Sequence, residues 1–196
     1  MHRYFITYKP FGMLSQFTKE GGHKTLADLK FNFPKDAYPV GRLDSDSEGL
    51  LLLTNDKSLN HKLLDPKFRH NRTYLAQVEG TFNGEAKSKL EKGISISVDG
   101  EKYQTYPCKI EIVPEPNDLP ERNPPIRFRK NIPTSFIALS LYEGKNRQVR
   151  KMTAATGFPT LRLIRISIEK IELGKLQPGE VKELKKEEIS ALLQLK

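Results

Sequence analysis

The chain has 196 residues, a single cysteine and a formal net charge of +9, with 37% apolar and 29% charged residues. That length buries a core without staples, and Cys108 alone cannot close an internal disulfide, so a disulfide scaffold is excluded and a reducing compartment is expected. No apolar run approaches the roughly 18 residues of a membrane span, and Met1–Ile6 lacks the long apolar core and small-residue cleavage site of an export signal; the expectation is a cytoplasmic protein.

In chain order, Arg3–Lys9 reads as a strand, rich in aromatic and β-branched residues. A turn at Pro10-Phe11-Gly12 follows. Thr25–Leu29 reads as a short helix capped by Thr25, with Asp28 three residues on. Leu50–Thr54 is a continuous apolar run, the pattern of a strand buried on both faces. Asp56–Leu64 reads as a helix stopped by Pro66, and Arg72–Glu79 as a strand ending at Gly80. Gly84–Lys92 is helical. Ile94–Val98 and Tyr106–Val113 read as strands joined by a hairpin at Asp99-Gly100. Pro107 to Pro133 holds seven of the 13 prolines, so Pro114–Pro133 is expected as a long irregular connection. Phe136–Tyr142 reads as a strand, Asn146–Thr156 as a helix capped by Asn146 with Gly157 past its end, and Leu161–Leu173 as one long strand. Lys186–Leu195 reads as a terminal helix with Ile189, Leu192 and Leu193 on one face. Elements mix without regular βαβ alternation, so the expected class is α+β with a mainly antiparallel mixed sheet. A subdomain boundary is placed in Gly80–Gly84.

The positive charge is concentrated. Arg122, Arg127, Arg129, Lys130, Lys145, Arg147, Arg150, Lys151, Arg162 and Arg165 lie in one stretch whose only acid is Glu143, and the rest of the chain is balanced. A solvated face mixes both signs, so one-signed clustering implies an anionic partner. Seven of the ten are arginine, whose fork suits phosphate, and a nucleic acid is the leading candidate.

The acids cluster elsewhere, in Val40-Gly41-Arg42-Leu43-Asp44-Ser45-Asp46-Ser47-Glu48-Gly49. A calcium loop fails, because its twelfth position is Asn55 and Leu50–Leu53 supply no side-chain oxygens. A glycosidase-like carboxylate pair stays open, as does a plain acidic turn. A third reading is a reactive carboxylate beside RNA, which needs a fixed cation to stay ionised. Arg147, Arg150 and Lys151 on the basic helix are candidates, sharing a face at i, i+3 and i, i+4. The competing reading there is an ordinary amphipathic helix with Val149 and Met152 inward.

Together these stretches resemble a known family. Gly41-Arg42-Leu43-Asp44 with Ser47–Asp56, Arg72-Thr73-Tyr74, Leu141–Met152 and Gly157–Arg165 resemble, in order, the motifs of one branch of the RNA pseudouridine synthases. That branch holds the A type for small-subunit rRNA and the B, E and F types for large-subunit rRNA. Leu14–Thr18, Arg122–Arg127 and Ile132–Ser135 resemble the E type most. The resemblance implies a pseudouridine synthase fold of two subdomains, about 1–80 with C-terminal parts and about 81–173, sharing a sheet around a central catalytic cleft. Many relatives carry an N-terminal S4-type RNA-binding domain; none is expected here.

The resemblance further implies isomerisation of one uridine of 23S rRNA, in the peptidyl-transferase region, with no cofactor and no metal. It makes Asp44 the essential carboxylate. Tyr74 would stack on the flipped uracil, Arg150 would pair with Asp44, and Leu163 would pack on the other face of the base. Arg42 would fill the gap in the RNA stack. Arg147, Lys151, Arg162, Arg165 and Arg127 would contact RNA. The expected partner is 23S ribosomal RNA or an assembly particle of the large ribosomal subunit, the expected state a monomer away from membranes. The competing functions are a non-catalytic RNA-binding or assembly module and an RNA glycosidase. Asp46 and Glu48 are expected to position the loop, and His23, His61 and His70 to lie on the surface. Cys108 is expected to be buried without chemistry.

Overall fold

The computed structural model describes residues 2–127, 129 and 131–193. Among them the chain runs β1 (Tyr4–Lys9), β2 (Tyr38–Pro39), β3 (Glu48–Thr54), α1 (Lys57–Leu64), β4 (Arg72–Glu79), α2 (Gly84–Glu91), β5 (Ser95–Val98), β6 (Glu101–Gln104), β7 (Lys109–Val113), β8 (Thr134–Leu141), α3 (Gln148–Ala155), β9 (Thr160–Ile168), β10 (Ile171–Glu172), β11 (Val181–Leu184) and α4 (Lys186–Leu192). The class is α+β with a mixed sheet, as expected. The chain divides into two units: Met1–Arg72 with Ile164–Lys196, and Thr73–Leu163.

In the first unit the strand order is β11-β1-β3-β9, with β2 also on β3. β1 is antiparallel to β3 and to β11, whereas β3 runs parallel to β9 through Glu48 opposite Ile164 and Gly49 opposite Arg165. All seven residues of β3 are buried. Leu51 and Leu53 join Phe5, Met13, Leu26 and Leu29, with Phe17, Phe31 and Phe33 packed alongside. The rings of Phe5, Phe31 and Phe33 meet edge-on or tilted at 4.8 to 5.4 Å, a geometry that suits their quadrupoles. Gly49 is obligatory: φ is +100°, and a Cβ would stand 2.4 Å from the carbonyl oxygen of Arg165.

The second unit orders its strands β9-β4-β8-β7, with β5 and β6 as a separate hairpin. Its core gathers Ala76, Val78, Leu90, Ile110, Ile137, Leu139, Val149 and Met152 among others. The Pro114–Pro133 connection carries no helix or strand among the described residues.

Some boundaries differ from the sequence reading for identifiable reasons. Thr25 does open a turn, closed by its amide donating to Asp28 Oδ2 at 2.8 Å, but the turn is a 3-10 helix of three residues. The Asp99-Gly100 hairpin pairs β5 with β6, not with Tyr106–Val113. Both turn residues have positive φ, +52° and +89°, so the return strand starts at once. β7 starts at Lys109 and pairs with β8 instead. The expected Leu161–Leu173 strand folds back at Glu169, φ +49°, so that Ile171 pairs with Ile168. The short strands β2 and β11 have no counterpart in the sequence reading. Leu195, the expected end of α4, lies outside the described residues.

Candidate active site

The acid loop is held by its backbone on both sides of Asp44. Before it, the Ser15 hydroxyl donates to Leu43 O at 2.8 Å and accepts from Leu43 N at 3.0 Å. After it, Gly12 N donates to Ser45 O at 2.7 Å, and Ser47 N donates to Asp44 O at 3.0 Å. These backbone bonds on either side fix the Cα of Asp44. Asp44 and Asp46 are half-buried and Arg42 is exposed. Glu48 is 2% exposed and accepts from the Tyr8 hydroxyl at 3.4 Å, in keeping with a positioning role.

Beneath the loop lies Lys9, wholly buried. Its ammonium donates to Met13 O at 2.7 Å, Pro10 O at 3.0 Å and, at the limit of range, Ser45 O at 3.5 Å. Burial pulls its pKa down to about 8, while Glu48, Asp46 and Asp44 pull the other way. Sequence reading missed Lys9; the available signal was a lone charge closing a strand of otherwise buried type. On β9, Arg165 is 3% exposed and donates through Nε to Leu50 O at 2.8 Å.

In the second unit, Tyr74 on β4 packs against the core that contains Leu163, Val149 and Met152. Tyr74 is half-buried and Leu163 is 5% exposed. Arg150 on α3 donates through Nη1 to Thr160 O at 3.2 Å, and the Thr153 and Thr160 hydroxyls meet at 2.8 Å, so α3 is laced to β9 beside the guanidinium.

α3 begins at Gln148, two residues later than expected. Its N-cap is Arg147 in the left-handed region (φ +53°), not Asn146. The cap is replaced by side chains. Gln148 Oε1 accepts from Lys145 N at 2.9 Å, and Gln148 Nε2 donates to Glu143 Oε1 at 2.6 Å. Glu143 is 4% exposed and also accepts from Tyr106 N at 2.9 Å and from the Tyr103 hydroxyl at 2.5 Å. That last bond is the first cause raising the Tyr103 phenol to about 12. Sequence reading registered Glu143 only as the one acid in a basic stretch, and that isolation was itself the signal.

The basic residues do not all reach solvent. Arg127 and Arg147 are exposed and Lys151 is half-buried. Arg162 and Arg165, expected to meet RNA, are 5% and 3% exposed. They lie in a run of four consecutive buried residues of β9, where both faces of the strand are covered. Arg122 is half-buried and donates to its own loop, to Pro124 O at 2.8 Å and Pro125 O at 2.9 Å. Lys130 lies outside the described residues. His70 is half-buried, 3.2 Å from Glu169 Oε1, rather than on the surface. Cys108 is partly buried, donates to Leu90 O at 3.1 Å, and burial lifts its thiol to about 12. Among the described residues no three His, Cys, Asp or Glu side chains cluster to hold a metal, and no helix is long and apolar enough to cross a membrane.

Comparisons with known proteins point to one family. The chain is 52% identical over 180 residues to ribosomal large subunit pseudouridine synthase E of Vibrio parahaemolyticus, covering 91% of this chain and 72% of that protein. It is 44% identical over 172 residues to the protein of that name from Xanthomonas axonopodis pv. citri, covering 87% of each. A crystal structure of a pseudouridylate synthase superposes with a TM-score of 0.79 at 28% identity, covering 98% of this chain and 74% of that one. Residues 3–155 match the model of the RNA pseudouridylate synthase family, and the chain belongs to that family.

Proposed function

We propose that this chain converts one uridine of 23S rRNA, in the peptidyl-transferase region, to pseudouridine. The observation that carries the reading is the pair of relatives named for the large ribosomal subunit, at 52% and 44% identity over most of the chain. The clamped acid loop adds physical support. A carboxylate that must engage a nucleotide works best when its backbone cannot drift, and Leu43 and Ser45 are both tied down.

In this reading the target nucleotide leaves the RNA stack, because neither C1′ nor C5 is accessible within a helix. Asp44 supplies the carboxylate on which cleavage of the C1′–N1 bond depends. The uracil turns, C5 bonds to C1′, the C5 proton departs and N1 takes one up. Nothing is oxidised and no water is consumed. Tyr74 stacks on the free uracil and Leu163 packs on its other face. Arg150 is the cation that keeps the carboxylate ionised. Arg42, exposed beside Asp44, fills the place of the extruded base. Arg127, Arg147 and Lys151 face phosphates, and their contacts offset the unstacking cost of a few kcal/mol. The protein acts in the cytoplasm as a monomer, on rRNA or on an assembling large ribosomal particle.

The test is a map of pseudouridines in rRNA from cells lacking the protein. One 23S site should vanish, return with the wild-type chain, and stay absent with Asp44→Asn. An unchanged map would refute the proposal.

A further inference from the structure

We propose that Ser15 is a positioning residue for the reaction: its hydroxyl sets the stretch of backbone from which the Asp44 carboxylate acts. This rests on the reading of Asp44 as the carboxylate on which cleavage depends, and adds the side chain that keeps it in register.

Leu43, the residue before Asp44, belongs to no helix or strand, so no ladder pairs its amide and carbonyl. It is 6% exposed, and its backbone groups need partners from the protein. One atom supplies both. Ser15 is 5% exposed and stands 28 positions away in the chain. Its hydroxyl donates to Leu43 O at 2.8 Å and accepts from Leu43 N at 3.0 Å. A hydroxyl has the one donor and the lone pairs that this double role needs. Alanine at position 15 offers neither, and both bonds are lost together.

Ser15 is itself held from behind. Met13 O accepts from Lys9 Nζ at 2.7 Å, Leu14 N donates to Lys24 O at 2.8 Å, and Gln16 O accepts from Leu26 N at 2.8 Å. The hydroxyl therefore stands on a tethered segment, and its bonds to Leu43 transmit that rigidity to the acid loop. Gly12 grips the far side of Asp44 through Ser45, but with its main chain. The grip of Ser15 is a side chain, which a substitution removes without touching the backbone.

The consequence falls on turnover. A carboxylate on a single methylene goes where its Cα goes, and a misplacement of about 1 Å can cost about a hundredfold in rate. Arg42, on the other side of Leu43, is long and exposed, so its reach absorbs a shift of that size. Substrate capture is therefore spared.

Thr54 provides a matched control at the other end of β3, about 20 Å along the strand from Glu48. Its buried hydroxyl has the same double role, donating to Arg3 O at 2.7 Å and accepting from Asp56 N at 3.0 Å. The experiment compares wild type, Ser15→Ala, Ser15→Thr and Thr54→Val by steady-state kinetics on a 23S rRNA transcript, urea unfolding and amide exchange followed by NMR. Ser15→Ala should lower kcat about ten- to a hundredfold and leave KM within about twofold. Its Leu43 amide should exchange at least about tenfold faster than in wild type. Ser15→Thr keeps the hydroxyl and should recover both the protection of Leu43 and most of kcat. Thr54→Val should lower the urea midpoint by a similar amount to Ser15→Ala and keep kcat within about twofold. Unchanged kcat in Ser15→Ala would overturn this role. So would a fall in Thr54→Val as large as in Ser15→Ala, or a Ser15→Thr chain that regains Leu43 protection but not kcat. A wild-type chain that forms no pseudouridine would overturn the reading of the function and this role together; an active wild type with failure only in the Ser15 variants would overturn this role alone.

Discussion

The acid loop and the basic loop are built as mirror images. In the first, three carboxylates sit near one buried cation, Lys9, which spends its protons on backbone carbonyls. In the second, a run of cations surrounds one buried anion, Glu143, which accepts from a backbone amide, a phenol and a side-chain amide. The minority charge is buried and hydrogen-bonded in both cases. The loops differ in what anchors them: a sheet with a steric lock in one, a hydrogen-bonded hub in the other.

Breaking the lock should have the largest effect. Gly49→Ala places a methyl 2.4 Å from Arg165 O in a left-handed backbone, so β3 and β9 must separate there. The expected loss is about 3 kcal/mol or more, read by urea unfolding. Breaking the hub comes next. Glu143→Ala strands three donors, one of them fully buried, and should cost about 2 kcal/mol, with turnover falling as well because Gln148 opens the helix that carries Arg150. Glu143→Gln keeps part of the network and should lose less than half as much.

A pH series sharpens the comparison from the lysine side. The folded pKa of Lys9 is lowered to about 8, below its ordinary 10.5. Between those values the unfolded chain holds a proton that the folded chain lacks, so this group's contribution to stability rises with pH across the window. The gain is at most on the order of 3 kcal/mol. It is opposed above about pH 9 by the Cys108 thiol, whose pKa is raised. Lys9→Met should remove the rise and leave the thiol's fall. Turnover should decline as pH passes about 8, since the neutral amine loosens Met13 and Ser45 beside Asp44. A smaller effect is expected from Arg147→Glu with Lys151→Glu. RNA binding should weaken about tenfold at low salt and its salt slope should fall by about two. An unaltered slope would remove both residues from the interface.

Much of this was legible in the chain itself. β4 is read to the residue, because Arg72–Glu79 is a strand-forming run closed by Gly80 at φ +94°. The helix at Asp56 is equally plain, with Asp56 accepting from Ser58 N and Leu59 N. β6 is hidden because Glu101-Lys102-Tyr103-Gln104 has no apolar alternation; a two-stranded ribbon with little burial does not demand it. The start of α3 is hidden because Asn146 looks like a cap while the chain uses Gln148 and Glu143 three-dimensionally. The burial of Arg162 and Arg165 is illegible for a related reason. Arginine in a basic stretch reads as surface, whereas four consecutive residues of β9, 162–165, are buried because both faces of the strand are covered there. The motifs marked Asp44 as special; that Ser15, Gly12 and Lys9 hold its loop required the fold.

The most direct test follows the proton that leaves C5. With an rRNA transcript tritiated at uridine C5, the wild-type protein should release label equivalent to one uridine per transcript, and folded Asp44→Asn should release it more slowly by a factor of about a thousand or more. Release by Asp44→Asn at a rate near wild type would contradict the account.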